Sequence, residues 1–276
     1  LKCSIFGIDF KNPVFLASGT FEYGLIYKGV TNKAGAIITK GITAQPRSGN
    51  PPPRIYETSC GLINSVGLEN PGVDIFCKDI LPEMRKLKTR IFVNVAGFSV
   101  GDFVRIVGEV GTGVDGFELN VSCPNVEQGG VAFGRSPEVC FEVVTEVRKI
   151  TKLPVIVKLT ANFCDPLMVG RRCVEAGADG LSLINTLHAL AFDVDKKRIL
   201  IKGGLSGPAI KPFALYCVNH LKDLGVPIIG VGGIMSGRDV YEFLLAGASA
   251  VEIGSATLRD PYSPLRIIEE LKEYTG

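Results

Sequence analysis

The sequence predicts an α/β fold in which eight strand–helix units close into a (β/α)8 TIM barrel, in one domain over residues 1–276. Three observations carry the prediction. Short apolar, β-branched runs alternate with segments of helical period along the whole chain. The apolar runs are continuous rather than alternating, the pattern of parallel strands covered on both faces. A weak repeat, a glycine leading into a strand, recurs as KAGAIITK, TGVDGFEL, EAGADGLSL and LAGASAVEI, beginning at 33, 112, 175 and 245. Each step holds two strand–helix units, and eight such units fit a closed barrel better than an open doubly wound sheet.

The elements follow in order. The stretch before residue 15 reads as two short strands around Gly7, an N-terminal β-hairpin that plugs the barrel bottom. Barrel strands are expected at 15–19, 36–40, 91–96, 116–122, 155–160, 180–186, 228–232 and 250–255. Helices are expected at 23–33, 73–86, 100–110, 137–150, 166–176, 208–224, 237–246 and 263–274. Pro137, Pro166 and Pro208 stand at helix starts, where the missing N–H of proline is no loss. Two connections are too long for plain βα loops. Residues 41–71, after the second strand, carry PRSGNPPPR and then a Gly/Asn-rich stretch. Residues 187–208, after the sixth, carry DVDKKR, which reads as solvated loop, and then KGGLSGP. Both belong to the face where barrel enzymes work.

Composition narrows the function. Hydrophobic residues make up 46% and charged residues 21%, which excludes a disordered or collagen-like chain. A net charge of +2 is too near neutral for a general nucleic-acid or polybasic membrane binder. No run approaches the ~18 apolar residues of a membrane span, and LKCSIFGIDFKNP lacks the layout of a signal peptide. The 8 cysteines are scattered, with no CxxC and no iron–sulfur spacing, so no metal is expected. Reduced thiols in a cytoplasmic protein are the expectation. The 33 glycines are an excess that suggests backbone held close to a ligand.

In a barrel, polar residues at the C-terminal strand ends are the first suspects. They are Ser18, Lys40, Asn94, Asn120, Ser122, Cys123, Asn125, Lys158, Asn185 and Thr186. Helix caps and turns explain some of them, but not two lysines in apolar strands, because lysine is almost never buried unpaired. Gly232 and Gly233 end the seventh strand, and Gly254 and Ser255 the eighth, where this fold grips phosphate. Tight turns alone are the competing explanation, weaker for two pairs than for one. A phosphate site with Lys158 and several asparagines fits flavin mononucleotide, whose reduced form is anionic near N1. These residues do not separate a flavin from a sugar-phosphate substrate. Cys123, in ELNVSCPNVEQGG, is the candidate general base, and the other seven cysteines read as inert. His188 and His220 read as structural or solvated.

With these residues assembled, the chain resembles a class 1 dihydroorotate dehydrogenase. The likeness runs through NPVFLASGTF, KGIT, NSVGLENPG, NVAG, ELNVSCPN, VKLT, LSLINT, GGLSGPAIKP and GVGGI to GASAVEIGSA. NVEQGGVAFG, INTLHALAFDV and GGLSGPAIKP point to the B-type, the NAD-linked catalytic subunit. The resemblance implies oxidation of dihydroorotate to orotate in pyrimidine (UMP) biosynthesis. FMN takes a hydride from C6 while Cys123 removes the C5 proton. It implies FMN contacts at Ser18, Lys40, Gly41, Asn94, Asn120, Lys158, Ile184, Gly207, Gly232, Gly233, Gly254 and Ser255. Substrate contacts are implied at Lys40, Asn64, Ser65, Val66, Gly67, Leu68, Asn120, Asn125, Asn185 and Thr186, with Lys40 and Cys123 catalytic. Asparagine amides offer both donors and an acceptor to a pyrimidine edge. Two departures stand out: Ser59-Cys60-Gly61 replaces the family's Pro-Gly-Gly, and Glu252 occupies a position where small apolar residues are common. Neither is expected to abolish activity.

The resemblance also implies a homodimer core joined to an electron-transfer subunit carrying FAD and a [2Fe–2S] cluster, together a heterotetramer. The chain has no cysteine cluster of its own for that task. The alternatives are a fumarate-using class 1 enzyme that needs no partner, a flavin-free phosphate-binding barrel enzyme such as an aldolase or isomerase, and a barrel-derived binding subunit.

Overall fold

The computed structural model describes residues 1–122, 136–162 and 164–275. Eight parallel strands close a barrel, and an antiparallel hairpin precedes it. The hairpin pairs β1 (Cys3–Ile5) with β2 (Ile8–Phe10), turning at Phe6 and Gly7 with φ of +58° and +71°. The barrel strands are β3 (Val14–Leu16), β4 (Ala36–Ile38), β7 (Arg90–Val95), β8 (Gly116–Asn120), β9 (Val155–Lys158), β10 (Gly180–Leu183), β13 (Ile228–Val231) and β14 (Ala250–Ile253). Around the wall they run β3-β4-β7-β8-β9-β10-β13-β14, and β14 closes on β3 through Val251–Val14 and Ile253–Leu16. All eight lie where the apolar runs predict. Each ends two or three residues earlier than predicted, except β7 and β13, which end one earlier. The polar residues predicted at strand ends therefore lie largely at or just past the last barrel pairing.

The barrel has two cores. Outward side chains such as Val14, Leu16, Val93, Leu119 and Val251 pack against the helices. Inward side chains Phe15, Ala36, Ile38, Phe92, Ile156, Ile229 and Ala250 form a separate cluster with Ile5 and Phe10 of the hairpin. Phe10 lies 4.8 Å from Phe15 and 6.3 Å from Phe92, centroid to centroid. The predicted plug is thus an aromatic stopper that takes the barrel bottom out of water.

The helices start where polar caps satisfy their free N–H groups. Ser99 and Asp102 form a reciprocal capping box on α4 (Val100–Val110). Ser136, Asp165 and Ser236 cap α5 (Pro137–Ile150), α6 (Pro166–Glu175) and α8 (Gly237–Ala246). Three predicted helices are corrected. The one at 23–33 shrinks to α1 (Lys28–Thr31), because Glu22 and Gly24 take left-handed φ. The one at 73–86 is α2 (Gly72–Ile75) and α3 (Leu81–Met84) joined by a π-helical turn, Phe76–Ile80. The one at 208–224 is a 3-10 turn, Pro208–Ile210, leading into α7 (Lys211–Leu221). Helices α9 (Ser255–Arg259) and α10 (Ser263–Thr275) complete the ring.

The two long loops fold together. β5 (Ile55–Thr58) and β6 (Gly61–Asn64) come from the first, β11 (Leu187–Asp193) and β12 (Arg198–Ser206) from the second. They make one antiparallel sheet in the order β11-β12-β6-β5. The DVDKKR stretch spans the end of β11, the ribbon's turn and the start of β12, and the KGGLS of KGGLSGP lies in β12 rather than in loop. Among the described residues, no helix is long and apolar enough to cross a membrane.

Candidate active site at the barrel mouth

Above the aromatic stopper the interior turns polar. Asn94, Glu118, Lys158, Ser182 and Glu252 point inward from β7, β8, β9, β10 and β14, and all are at most 4% exposed. The parity that sends Phe92 and Ile156 inward sends Asn94 and Lys158 inward one step further up. Lys158 Nζ donates to Glu252 Oε2 at 2.9 Å, Ser18 Oγ at 3.2 Å and Glu118 Oε1 at 3.4 Å. Burial lowers the affinity of Lys158 for its proton, but the two glutamates outweigh it, and the ammonium is held above its ordinary value.

Lys40 differs from its predicted place. It lies two residues past β4, with Nζ 4.0 Å from Glu22 Oε1, beside a cleft of about 610 Å³ that Glu22, Arg47, Arg54 and Glu69 also line. Its side chain is partly exposed, while Lys158 is sealed in the floor.

Around the mouth the predicted residues converge. A Cβ added to Gly41 would lie 3.1 Å from Asn94 Oδ1 and 3.3 Å from Leu68 Cδ2, so these three are neighbours. Asn94 Oδ1 is buried with no hydrogen-bond partner, while its Nδ2 donates to Glu118 Oε1 at 2.6 Å. Asn120 is the register partner of Lys158, and its Oδ1 accepts from Ser122 N at 3.2 Å. Ile184 N donates to Val231 O, tying the end of β10 to β13. Asn185 Oδ1 accepts from Thr186 N, and Thr186 O accepts from Asn162 Nδ2 at 2.8 Å.

On the far rim, a Cβ on Gly233 would fall 2.6 Å from Gly207 O, and one on Gly207 would approach Ser255 Oγ at 3.7 Å. Gly207, Gly233 and Ser255 are therefore packed together, and Gly233, at φ +73°, is backbone that only glycine supplies there. A Cβ on Gly254 would meet nothing nearer than 3.6 Å. Gly232 precedes Gly233 at φ +131°.

The segment Asn64, Ser65, Val66, Gly67 and Leu68 is braced from both sides. Asn64 Nδ2 donates to Gly204 O at 3.1 Å, and Asn50 N donates to Val66 O at 3.0 Å. Gly204 also abuts Thr186, so β12 holds the segment against the end of β10. Cys123 and Asn125 lie outside the described residues. Cys60 sits in the β5–β6 turn, its carbonyl accepting from Ala209 N, and His220 stacks on Tyr216 at 5.7 Å.

Glu118 and Ser182 belong to the site and are absent from the predicted set. Their signal is visible in retrospect: each is a polar residue in an apolar strand on the inward parity. Glu252, read as a departure, is the nearest counter-ion of Lys158.

A barrel with a buried cation in its floor, an unsatisfied amide acceptor above it and glycine backbone on its rim belongs to the cofactor-gripping (β/α)8 enzymes. The chain itself belongs to the dihydroorotate dehydrogenase family, whose model matches residues 1–275. A relative from Alkaliphilus metalliredigens, named "Dihydroorotate dehydrogenase B (NAD(+)), catalytic subunit", is 47% identical over 99% of this chain and 93% of its own. A Thermoanaerobacter pseudethanolicus protein of the same name is 45% identical with the same coverage. A Solibacter usitatus protein named for the fumarate-using A type is 46% identical over 99% of this chain and 93% of its own. The crystal structure of DHODH from Eimeria tenella, in complex with ferulenol, superposes with a TM-score of 0.83 at 24% identity. It covers 99% of this chain and 84% of that one, a likeness of fold.

Proposed function

We propose that the chain oxidises dihydroorotate to orotate in pyrimidine biosynthesis, using FMN at the barrel mouth, as the catalytic subunit of a B-type enzyme. The observation that carries the reading is the pairing of Lys158, charged and buried, with the orphaned Asn94 Oδ1 directly above the hydrophobic floor. A flavin ring offers an N–H for that oxygen and an N1 edge for that cation. Its phosphate fits the glycine backbone of Gly207, Gly232, Gly233 and Gly254 with Ser255. The residues present therefore fit FMN. Ser18, Lys40, Gly41, Asn94, Asn120, Lys158 and Ile184 would hold the ring and ribityl chain. Bound there, FMN would supply the two-electron acceptor for the hydride at C6 of the substrate.

The chain does the rest. Cys123, as thiolate, takes the C5 proton, so that one hydride and one proton leave and the ring double bond forms. Lys40 and the amides of Ser65, Val66, Gly67 and Leu68 suit the substrate carboxylate. Asn64, Asn120, Asn125, Asn185 and Thr186 suit the polar pyrimidine edge. The reading gains support from the braced position of the 64–68 segment next to Gly41 and Asn94.

Electrons then pass to NAD through a partner subunit that carries FAD and [2Fe–2S]. Among the described residues, no cluster of His, Cys, Asp or Glu could hold a metal ion. A homodimer core is supported by the β11–β12 ribbon, which exposes Leu190, Phe192, Val194 and Ile199 together. A cytoplasmic location is supported by the thiols: Cys3, Cys60, Cys77, Cys173 and Cys217 stand outside any disulfide.

The test is anaerobic titration of the purified chain with dihydroorotate, following the visible flavin band. Bleaching is expected. A yellow protein that stays yellow moves the substrate elsewhere, and a colourless one that takes up no added FMN refutes the cofactor. Cys123→Ser should keep the colour and slow bleaching by at least ~10²-fold. Turnover with fumarate by the chain alone would favour the A type.

A further inference from the structure

The polar floor holds two carboxylates and one cation. Glu118 and Glu252 are 0% and 1% exposed, and Lys158 is 4% exposed. The charged groups that act on Glu252 are Glu118 from β8 and Lys158 from β9. The loop after β3 brings Ser18, while β7 and β10 bring the neutral Asn94 and Ser182. Strands β4 and β13 bring Ile38 and Ile229 to the interior.

The two carboxylates are treated unequally. Glu118 Oε1 accepts from Asn94 Nδ2 at 2.6 Å and from Lys158 Nζ at 3.4 Å, and its Oε2 accepts from Ser182 Oγ at 2.7 Å. Three donors converge on it, the surroundings of an ionised carboxylate. Glu252 Oε2 accepts from Lys158 alone, and Glu252 Oε1 has no donor. Both carboxylates are sealed from water and face the one ammonium of Lys158. Two buried anions on one cation are costly, and the carboxyl group with fewer donors is the one that keeps a proton.

We propose that Glu252 is a positioning residue that remains the neutral acid at neutral pH and thereby keeps the Lys158 cluster free of net negative charge. The consequence is electrostatic and rests on the flavin reading above. With one proton, the floor is a neutral set of ammonium, carboxylate and carboxylic acid. Without it, the floor carries a net negative charge under the place where negative charge develops on reduction. The direction of titration agrees: burial and the charge of Glu118 push Glu252 well above the ordinary carboxylate range, against the pull of Lys158. For Glu118, burial is outweighed by Lys158 and the hydrogen bonds, which hold it low.

The experiment is infrared difference spectroscopy of the purified flavin-loaded chain at neutral pH, comparing wild type with Glu252→Gln and Glu118→Gln. The expected result is the carbonyl stretch of a buried carboxylic acid, shifted by D2O, in the wild type only. Glu252→Gln removes the acid itself. Glu118→Gln leaves Glu252 as sole counter-ion of Lys158, so it ionises and the band is lost there as well. Absence of the band in wild type, or its persistence in Glu252→Gln, overturns the proposal. If Glu252→Gln does not fold, Glu118→Gln decides alone: a retained band refutes the proposal.

The flavin midpoint potential supplies the second readout, because it separates a neutral Glu252 from an ionised one. Glu252→Gln replaces a neutral acid by a neutral amide, so the potential at neutral pH stays at the wild-type value. A rise means that a negative charge was removed, and the proposal fails. A chain that stays colourless after FMN addition refutes the flavin reading, while the infrared band still decides where the proton is.

Discussion

Replacing Lys158 by methionine tests the physics of the barrel floor. The substitution conserves much of the volume and removes the ammonium that faces Glu252 Oε2 at 2.9 Å and Glu118 Oε1 at 3.4 Å. Both glutamates are sealed from solvent, so water cannot replace the lost partner. Breaking a buried pair from one side leaves an uncompensated charge and costs about 3–5 kcal/mol. Glu118 carries that charge, because it is the carboxylate with three donors. The penalty must also depend on pH. Without Lys158, burial raises the folded-state pKa of Glu118 above its unfolded value of about 4.3. The native state then holds more protons than the unfolded chain between those two values, and stability falls as pH rises through that window. The deficit of Lys158→Met relative to wild type is therefore largest at mildly alkaline pH and shrinks in mild acid. Urea unfolding at both pH values, with and without saturating FMN, measures it and separates cofactor loss from ion-pair loss. A deficit below about 1 kcal/mol, or one equal at both pH values, would refute the account of the floor as a mutually dependent ion cluster.

Three further outcomes follow from the same structure. Phe10→Ala should destabilise the fold by about 3–5 kcal/mol in urea unfolding, because it opens a cavity against Phe15 and Phe92, while leaving FMN affinity of the folded protein intact. Gly233→Val places a Cβ within 2.6 Å of Gly207 O at φ +73°, and should abolish FMN retention on gel filtration while the far-UV spectrum stays that of the wild type. Asp239 is held below the ordinary carboxylate range: burial works against its charge, but Lys211, Met235 N–H and the Ser236 hydroxyl outweigh it. Its contribution is present above the unfolded pKa and is lost as pH falls through the folded one, so acid unfolding of Asp239→Asn should be less steep than that of wild type.

The barrel was legible because its signals are local. Continuous apolar runs, glycines leading into strands and polar residues at strand ends each follow from the geometry of a parallel wall covered on both faces. The hairpin plug was legible for the same reason: Gly7 marks a turn between two short apolar runs. The antiparallel sheet over the mouth was not. β6 and β12 lie about 140 residues apart in the chain, and no local pattern in either strand names its partner. The helix expected at 23–33 failed because backbone turns at Glu22 and Gly24 override helical period.

The division at the site has the same origin. Residue types and positions single out Ser18, Lys40, Asn94, Lys158 and the terminal glycines as candidates, since each stands at or near the end of its own strand. Only the closed barrel decided that Lys158 and Lys40 have different environments, one sealed among Glu118 and Glu252, the other beside Glu22 near the surface. Glu252 looked like an intrusion of charge into an apolar strand, because its partner arrives from β9, 94 residues earlier. Charge pairing across a barrel is a property of closure: strands distant in sequence aim their inward side chains at one axis, and no window of sequence contains that axis.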